Sequence, residues 1–308
     1  MTPGVLILIT ILLVLLRWFR KAGFLGKLFI GATFVVFLGI VALAFFGILT
    51  QSTEPDTAQT DDDQQNLKIE QIQDKNGNVL LSSFRKWNDY NDQSYEGRLN
   101  VKKTDYTQAR QHRTQIAKQL GNDQADWQRL YAELAKNDAP KLDLICGFLD
   151  SIRQANQLNS RQFAEMICTC IQDIPYYLIL DGPCDPRYYE GEFISDYLQK
   201  GNPCMGNVAY GIQSPAEFMG NLKGDCDTRS LLAYTLLSKF GYDAVVLVSL
   251  EYQHSILGIN LPTRGAYKYH LGKRYYTWEL TVPNMEIGQI DPEQGNMELW
   301  NVYLVSNN

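Results

Sequence analysis

Basic residues are in short supply. The chain carries 28 Lys and Arg against 34 Asp and Glu, a net charge of −6, which excludes a basic nucleic-acid binder. Histidine is scarcer, with three residues in 308, so His112, His254 and His270 are the whole choice of imidazole base. No segment repeats at any spacing, which excludes a solenoid or propeller. The cysteines number six and fall at no spacing common to zinc sites. Cys168 and Cys170 lie two apart on an expected helix and so face different sides. No metal and no cofactor are expected.

Apolarity is plentiful, at 45% of residues, but concentrated at the front. Val5–Leu16 is apolar apart from Thr10, and Leu28–Leu49 is a longer run that reaches the roughly 20 residues needed to cross a bilayer. The first run lacks a positive flank before it. The second lacks a small-x-small cleavage site after it, so neither reads as a cleaved signal peptide. Arg17, Arg20, Lys21 and Lys27 lie between the runs, and no Lys or Arg occurs from Gly31 to Leu67. The positive-inside rule therefore puts the connector in the cytoplasm and the large C-terminal body outside it. Gln51–Asn66 is polar, acidic and free of aromatics, the composition of a disordered tether.

From Leu67 the composition turns globular. Asn76-Gly77 between Ile69, Ile72 and Val79–Leu81 predicts a hairpin, and Tyr95–Val101 a further strand. Trp87, Tyr90 and Tyr95 are expected to pack this hairpin on the next helices. Helices are expected over Thr104–Leu120 with a Thr104 cap, Asp123–Lys136, Leu142–Leu158 and Ser160–Asp173, the last stopped by Pro175. His112 falls among Arg110, Gln111 and Arg113 on a solvated helix face, and His270 at a hairpin turn. Tyr176–Gly220 is rich in turn residues, and Tyr188–Phe193 and Tyr210 either line a cleft or cover the core. Outside the cytoplasm a Cys184–Cys204 bridge would close a loop of about 20 residues and contribute about 3 kcal/mol.

The chain is organised around Lys223-Gly-Asp-Cys-Asp-Thr-Arg-Ser-Leu-Leu-Ala-Tyr-Thr-Leu-Leu-Ser-Lys-Phe-Gly241. Asp225 is a natural N-cap, which places Cys226 in the first turn, where free N–H groups and the helix dipole favour a thiolate. Leu232, Leu236 and Phe240 form one stripe, and Leu231, Ala233 and Leu237 cover much of the rest, so the helix is expected to be buried almost all round. A β-branched strand, Asp243–Leu250, follows, and then His254. Arg274–Thr281 is a strand-like run with one carboxylate, Glu279, among aromatics. Nucleophile, base and orienting acid would thus be Cys226, His254 and Glu279. Asp291 is the alternative orienting group, and a lone core cysteine is the alternative to the whole constellation.

Gly224-Asp-Cys-Asp-Thr, the leucine-rich helix, Gly241-Tyr-Asp-Ala, His254 and Tyr276-Thr-Trp-Glu-Leu-Thr281 together resemble the transglutaminase-like superfamily. Ile171–Tyr176 and Pro215–Cys226 look like the segments before the cysteine in its bacterial membrane members, so the likeness covers roughly residues 160–290. The resemblance implies an α+β, papain-like fold with the cysteine helix on an antiparallel sheet. It departs at the third triad member, usually aspartate and here Glu279. The expected segments are a membrane anchor at 1–50 (apolar runs 3–19 and 28–49), a linker at 51–66, a hairpin-and-helices region at 67–140 and the transglutaminase-like domain at 141–308. The expected function is a membrane-anchored, extracytoplasmic thiol enzyme cleaving amide bonds of a protein or peptide substrate in the cell envelope through a thioester. Gln172 is a candidate oxyanion donor, and Asp225 a supporting residue. A transglutaminase-type acyl transferase, an inactive binding scaffold and a structural membrane hairpin are the alternatives, and oligomeric state is left open.

Overall fold

Alternating apolar residues in the first globular segment make a three-stranded antiparallel sheet, the first layer of the α+β architecture. It comprises β1 (Glu70–Gln73), β2 (Val79–Asn88) and β3 (Ser94–Lys102), in that order. The structure is a computed structural model and describes residues 68–190 and 192–306. The expected membrane runs and tether lie outside the described residues. Among the described residues, no helix is long and apolar enough to cross a membrane. Gly77 occupies the left-handed position of the β1–β2 turn, at φ +79°, a conformation that costs glycine little.

Four helices follow: α1 (Lys103–Ala117), α2 (Gln124–Asp138), α3 (Asp143–Ala155) and α4 (Ser160–Gln172). Asp123 caps α2 by accepting from the Asp126 N–H, and Asn159 with Gln162 forms a capping box on α4. Thr104 is not a cap. Strand β3 runs straight into α1, Lys102 holds the cap position without a side-chain bond, and the buried face of Ala109, Arg113 and Ile116 anchors the helix instead. His112 is half-buried rather than on a solvated face.

The expected irregular region contains more order than its turn residues suggest. Strands β4 (Leu178–Ile179) and β5 (Cys204–Met205) pair in parallel. Helix α5 (Glu192–Gln199) lies between them in sequence, and α6 (Pro215–Asn221) follows. Helix α6 starts at a capping box of Ser214 and Glu217. Glu217 also receives two bonds from the buried Arg113 guanidinium, at 2.7 and 3.0 Å, so one carboxylate starts α6 and ties it to α1. Cys184 and Cys204 are disulfide-bonded, and Cys146, Cys168, Cys170 and Cys226 are free.

Helix α7 (Cys226–Lys239) and the strands β6 (Ala244–Ser249), β7 (His254–Ile259), β8 (Tyr267–His270), β9 (Lys273–Trp278) and β10 (Asn301–Val305) complete the fold. The five strands form one antiparallel sheet in the order β10-β6-β7-β9-β8. His270 sits at the β8–β9 turn, before Leu271 and Gly272 at positive φ. Helix α7 packs on β6 and β7, with Leu231, Leu232, Ala233, Leu236 and Leu237 all buried. The larger of two apolar clusters joins Trp87 and Leu99, Leu130 and Leu149, Phe163, and Leu232 to Trp278, and the smaller gathers Val245, Leu247, Ile256, Tyr275 and Trp300. The described part of the 67–140 segment, from residue 68, therefore shares its core with the residues that follow. Trp87 and Tyr95 are buried as expected, and the Trp87 indole donates to Met166 O at 3.1 Å, fixing the first sheet on α4.

Candidate active site

Three chain segments converge at the start of α7. Asp225 has extended backbone, and its carboxylate accepts from the Thr228 N–H at 3.2 Å, so Cys226 is the first helical residue. The cap does not use the Cys226 N–H. The turn before it is tightly built: a Cβ on Gly224 would meet the Phe218 ring at 2.8 Å, so only glycine fits. Gln213 donates to Lys223 O at 2.7 Å and holds the same turn.

His254 opens β7, opposite Ser249, after a tight turn in which Gln253 takes φ +49°. The Ser255 carbonyl accepts from the Ser230 hydroxyl of α7 at 3.1 Å, which seats the first residues of β7 on the helix. Glu279 directly follows β9 and turns its carboxylate to His254, with Oε2 2.6 Å from Nε2. Its other oxygen, Oε1, accepts from the Thr281 N–H at 2.7 Å and the Thr281 hydroxyl at 2.6 Å. Both oxygens are thus directed, and the imidazole keeps Nδ1 for a reacting group. Cys226, His254 and Glu279 all line one cleft of about 900 Å³, with Tyr176, Phe193 and Tyr252 among its other walls. Among the described residues, no hydrogen bond joins Cys226 to His254. The thiol instead faces the Ser255 N–H.

Gln172 does something other than expected. Its amide donates to Glu279 O at 2.6 Å and Met285 O at 2.8 Å, and it is only 4% exposed. With its N–H groups committed to two carbonyls, it has none left for an oxyanion. Tyr90 completes this support: its hydroxyl lies 3.0 Å from Gln172 Oε1 and 2.8 Å from Met285 O, and accepts from the Trp278 indole at 2.8 Å. Arg229, wholly buried, donates to Gly224 O, Ile171 O, Leu280 O, Ile174 O and Pro175 O at 2.6–3.2 Å. The consecutive carbonyls of Glu279 and Leu280 are therefore held from two helices, α4 and α7. Asp291 is exposed, accepts from the Glu293 N–H at 2.9 Å and does not bond His254. Tyr210 leaves the cleft altogether and packs edge-on against Trp127 at 4.9 Å.

Burial, then Asp227, Asp225 and Glu279, push the Cys226 thiol well up. Burial and the neighbouring acids thus work against the thiolate that the helix start favours. Burial alone would pull His254 down, but the Glu279 bond and charge, with Asp227, outweigh it and raise it above the ordinary 6.5. Burial would likewise raise Glu279, yet His254 and Thr281 hold it below 4.5. Asp225 is pushed up to about 8, first by burial and then by Asp227. The Asp227 carboxylate accepts from the Tyr131 hydroxyl. Burial thus favours the neutral thiol at Cys226, and the bond between His254 and Glu279 favours a charged imidazolium and a charged carboxylate.

Tyr90, Tyr176 and Arg229 are the residues that sequence reasoning missed. Tyr176 lines the cleft, and its hydroxyl makes no hydrogen bond among the described residues. Its one sequence cue is position, directly after the Pro175 that ends α4. No metal-binding cluster of His, Cys, Asp and Glu occurs among the described residues. No protein-family model, no curated protein and no solved structure matches the chain.

Proposed function

We propose that this protein is a thiol enzyme with a transglutaminase-like, papain-like arrangement, cleaving amide bonds of a peptide through a thioester. The observation that carries the reading is the His254–Glu279 bond of 2.6 Å beside a cysteine at a helix start, all three in one cleft. As Cys226 sulfur bonds to the carbonyl carbon, its proton passes to His254, whose positive charge Glu279 stabilises. The Cys226 N–H and the Tyr176 hydroxyl are the donors for the oxyanion. Collapse breaks the C–N bond, and the proton on His254 goes to the leaving amine. Water then adds to the thioester, giving its proton to His254, and the C–S bond breaks as the acid is released and the thiol reprotonated.

Hydrolysis is favoured over transfer to an amine because the cleft is large and carries Gln253, Gln289 and Gln294, which suit a wet site. The apolar runs 3–19 and 28–49 would anchor the enzyme in a membrane with its body outside the cytoplasm. The Cys184–Cys204 disulfide supports that compartment. Mass spectrometry after incubation with cell-envelope peptides tests the activity. A thioester adduct on Cys226, absent from Cys226→Ala, is expected, and turnover that persists in Cys226→Ala would end the proposal.

A further inference from the structure

The walls of the cleft bear on what its substrate carries, an inference that rests on the thiol-enzyme reading. Among the described residues lining it there is no lysine or arginine. His254 is its one basic group and is bonded to Glu279, so the protonated pair is neutral and the deprotonated pair carries a negative charge. Asp291 stands exposed in the lining. The chain forming that wall also carries exposed Glu286, Glu293 and Glu298 and no Lys, Arg or His from Tyr275 to Asn308. Two cations reach it from the preceding segment: Lys268, which donates to Met297 O at 2.8 Å, and exposed Arg264, whose carbonyl a Cβ on Gly288 would meet at 2.1 Å. The cations nearest Cys226 in sequence are turned elsewhere. Lys223 lies 4.8 Å from the Tyr177 ring centroid, and Arg229 is committed to five carbonyls.

The same cleft is lined by aromatic rings. Phe193 is 62% exposed and stands 6.1 Å from Tyr197, and Tyr252 packs on Trp300 at 5.7 Å. Open ring faces attract a cation through their quadrupole, and the four carboxylates of the wall outnumber Lys268 and Arg264 and add a favourable field. An acidic side chain placed here would lose water and meet a net like charge. The cleft's size, about 900 Å³, is at the upper end for ligand sites and suits several residues of a chain. We propose that the cleft takes a peptide segment with a cationic side chain next to the amide it cleaves, and rejects acidic segments.

Three matched methanethiosulfonates test this on the whole protein: trimethylammonioethyl, methyl and sulfonatoethyl, with the rate at each cysteine read by mass spectrometry. Rates are divided by those of a small cysteine peptide. The cationic reagent should modify Cys226 roughly five- to tenfold faster than the anionic one after that correction, an advantage that salt reduces. Combining Asp291→Asn with Glu286→Gln, both exposed positions, should bring the ratio toward one. Equal rates, or an anionic preference, at a Cys226 that still reacts ahead of Cys146 would overturn the charge inference alone. A Cys226 no faster than Cys146 with the neutral reagent would overturn the thiol-enzyme reading and this inference with it.

Discussion

Glu279 bonds His254 through one carboxylate oxygen and Thr281 through the other, so the longer acid stands in a fitted socket. The strand end that presents it is itself held at Glu279 O by Gln172 and at Leu280 O by Arg229. Aspartate on the same backbone would draw its carboxylate back by one methylene, far enough to break a 2.6 Å contact. Glu279→Asp is therefore expected to be worse than wild type. Glu279→Gln keeps the shape but removes the charge that stabilises imidazolium, with a fall in turnover that could reach ~10⁴. Steady-state rates of both variants on a cleaved peptide check this, and an aspartate equal to or better than glutamate would count against the socket.

Gln172 and Tyr176 separate positioning from chemistry. Gln172→Met keeps length but removes both donors, freeing the carbonyl of Glu279 and leaving that of Met285 to Tyr90 alone. The His254 pKa, followed by NMR titration, should then fall toward 6.5 as Glu279 loosens. Tyr176→Phe should leave that pKa in place and reduce kcat by about 10² through loss of an oxyanion donor. If both variants move the titration alike, the division of roles between them fails.

The His254–Glu279 pair also makes stability depend on pH. His254 is raised above 6.5 in the folded protein, so its contribution is complete below 6.5 and lost as pH rises through the folded value. Glu279 is held below 4.5, so its contribution is present above 4.5 and lost as pH falls through the folded value. The stability difference between wild type and Glu279→Gln should therefore be greatest between about pH 4.5 and 6.5 and shrink on either side. Urea unfolding across pH measures it, and a difference that is flat with pH would contradict the pairing.

The parts of the site set by local rules could be read from the sequence. Asp225 before an apolar run announced the start of α7, and β-branched residues announced β6. The order of Cys226, His254 and Glu279 was enough to group them. The rest depends on tertiary geometry. A glutamine that donates to an oxyanion and one that donates to carbonyls are the same letter, and only Glu279 O at 2.6 Å tells which Gln172 is. Arg229 carries no sequence cue to its role, which appears only when five carbonyls surround it. The thiol is a different case: Asp225 and Asp227 flank Cys226 in the sequence, but the burial that does most to raise its pKa comes from the tertiary fold. The cue for α6, a serine three residues before a glutamate, was likewise present.

The account stands on one relationship, that His254 is the base for Cys226. Its most direct test is the rate of Cys226 modification by iodoacetamide against pH, read by mass spectrometry, in wild type and His254→Ala. Burial pushes the thiol's own ionisation up, so His254 is the group through which reaction near neutrality is expected to pass. The wild-type rate should rise through a midpoint above 6.5, where His254 becomes free to accept a proton. At pH 7.5 His254→Ala should react about 10²-fold more slowly, with its rise displaced to the alkaline range of the isolated thiol. Superimposable profiles for the two proteins would contradict the assignment and leave Cys226 a core cysteine on a buried helix.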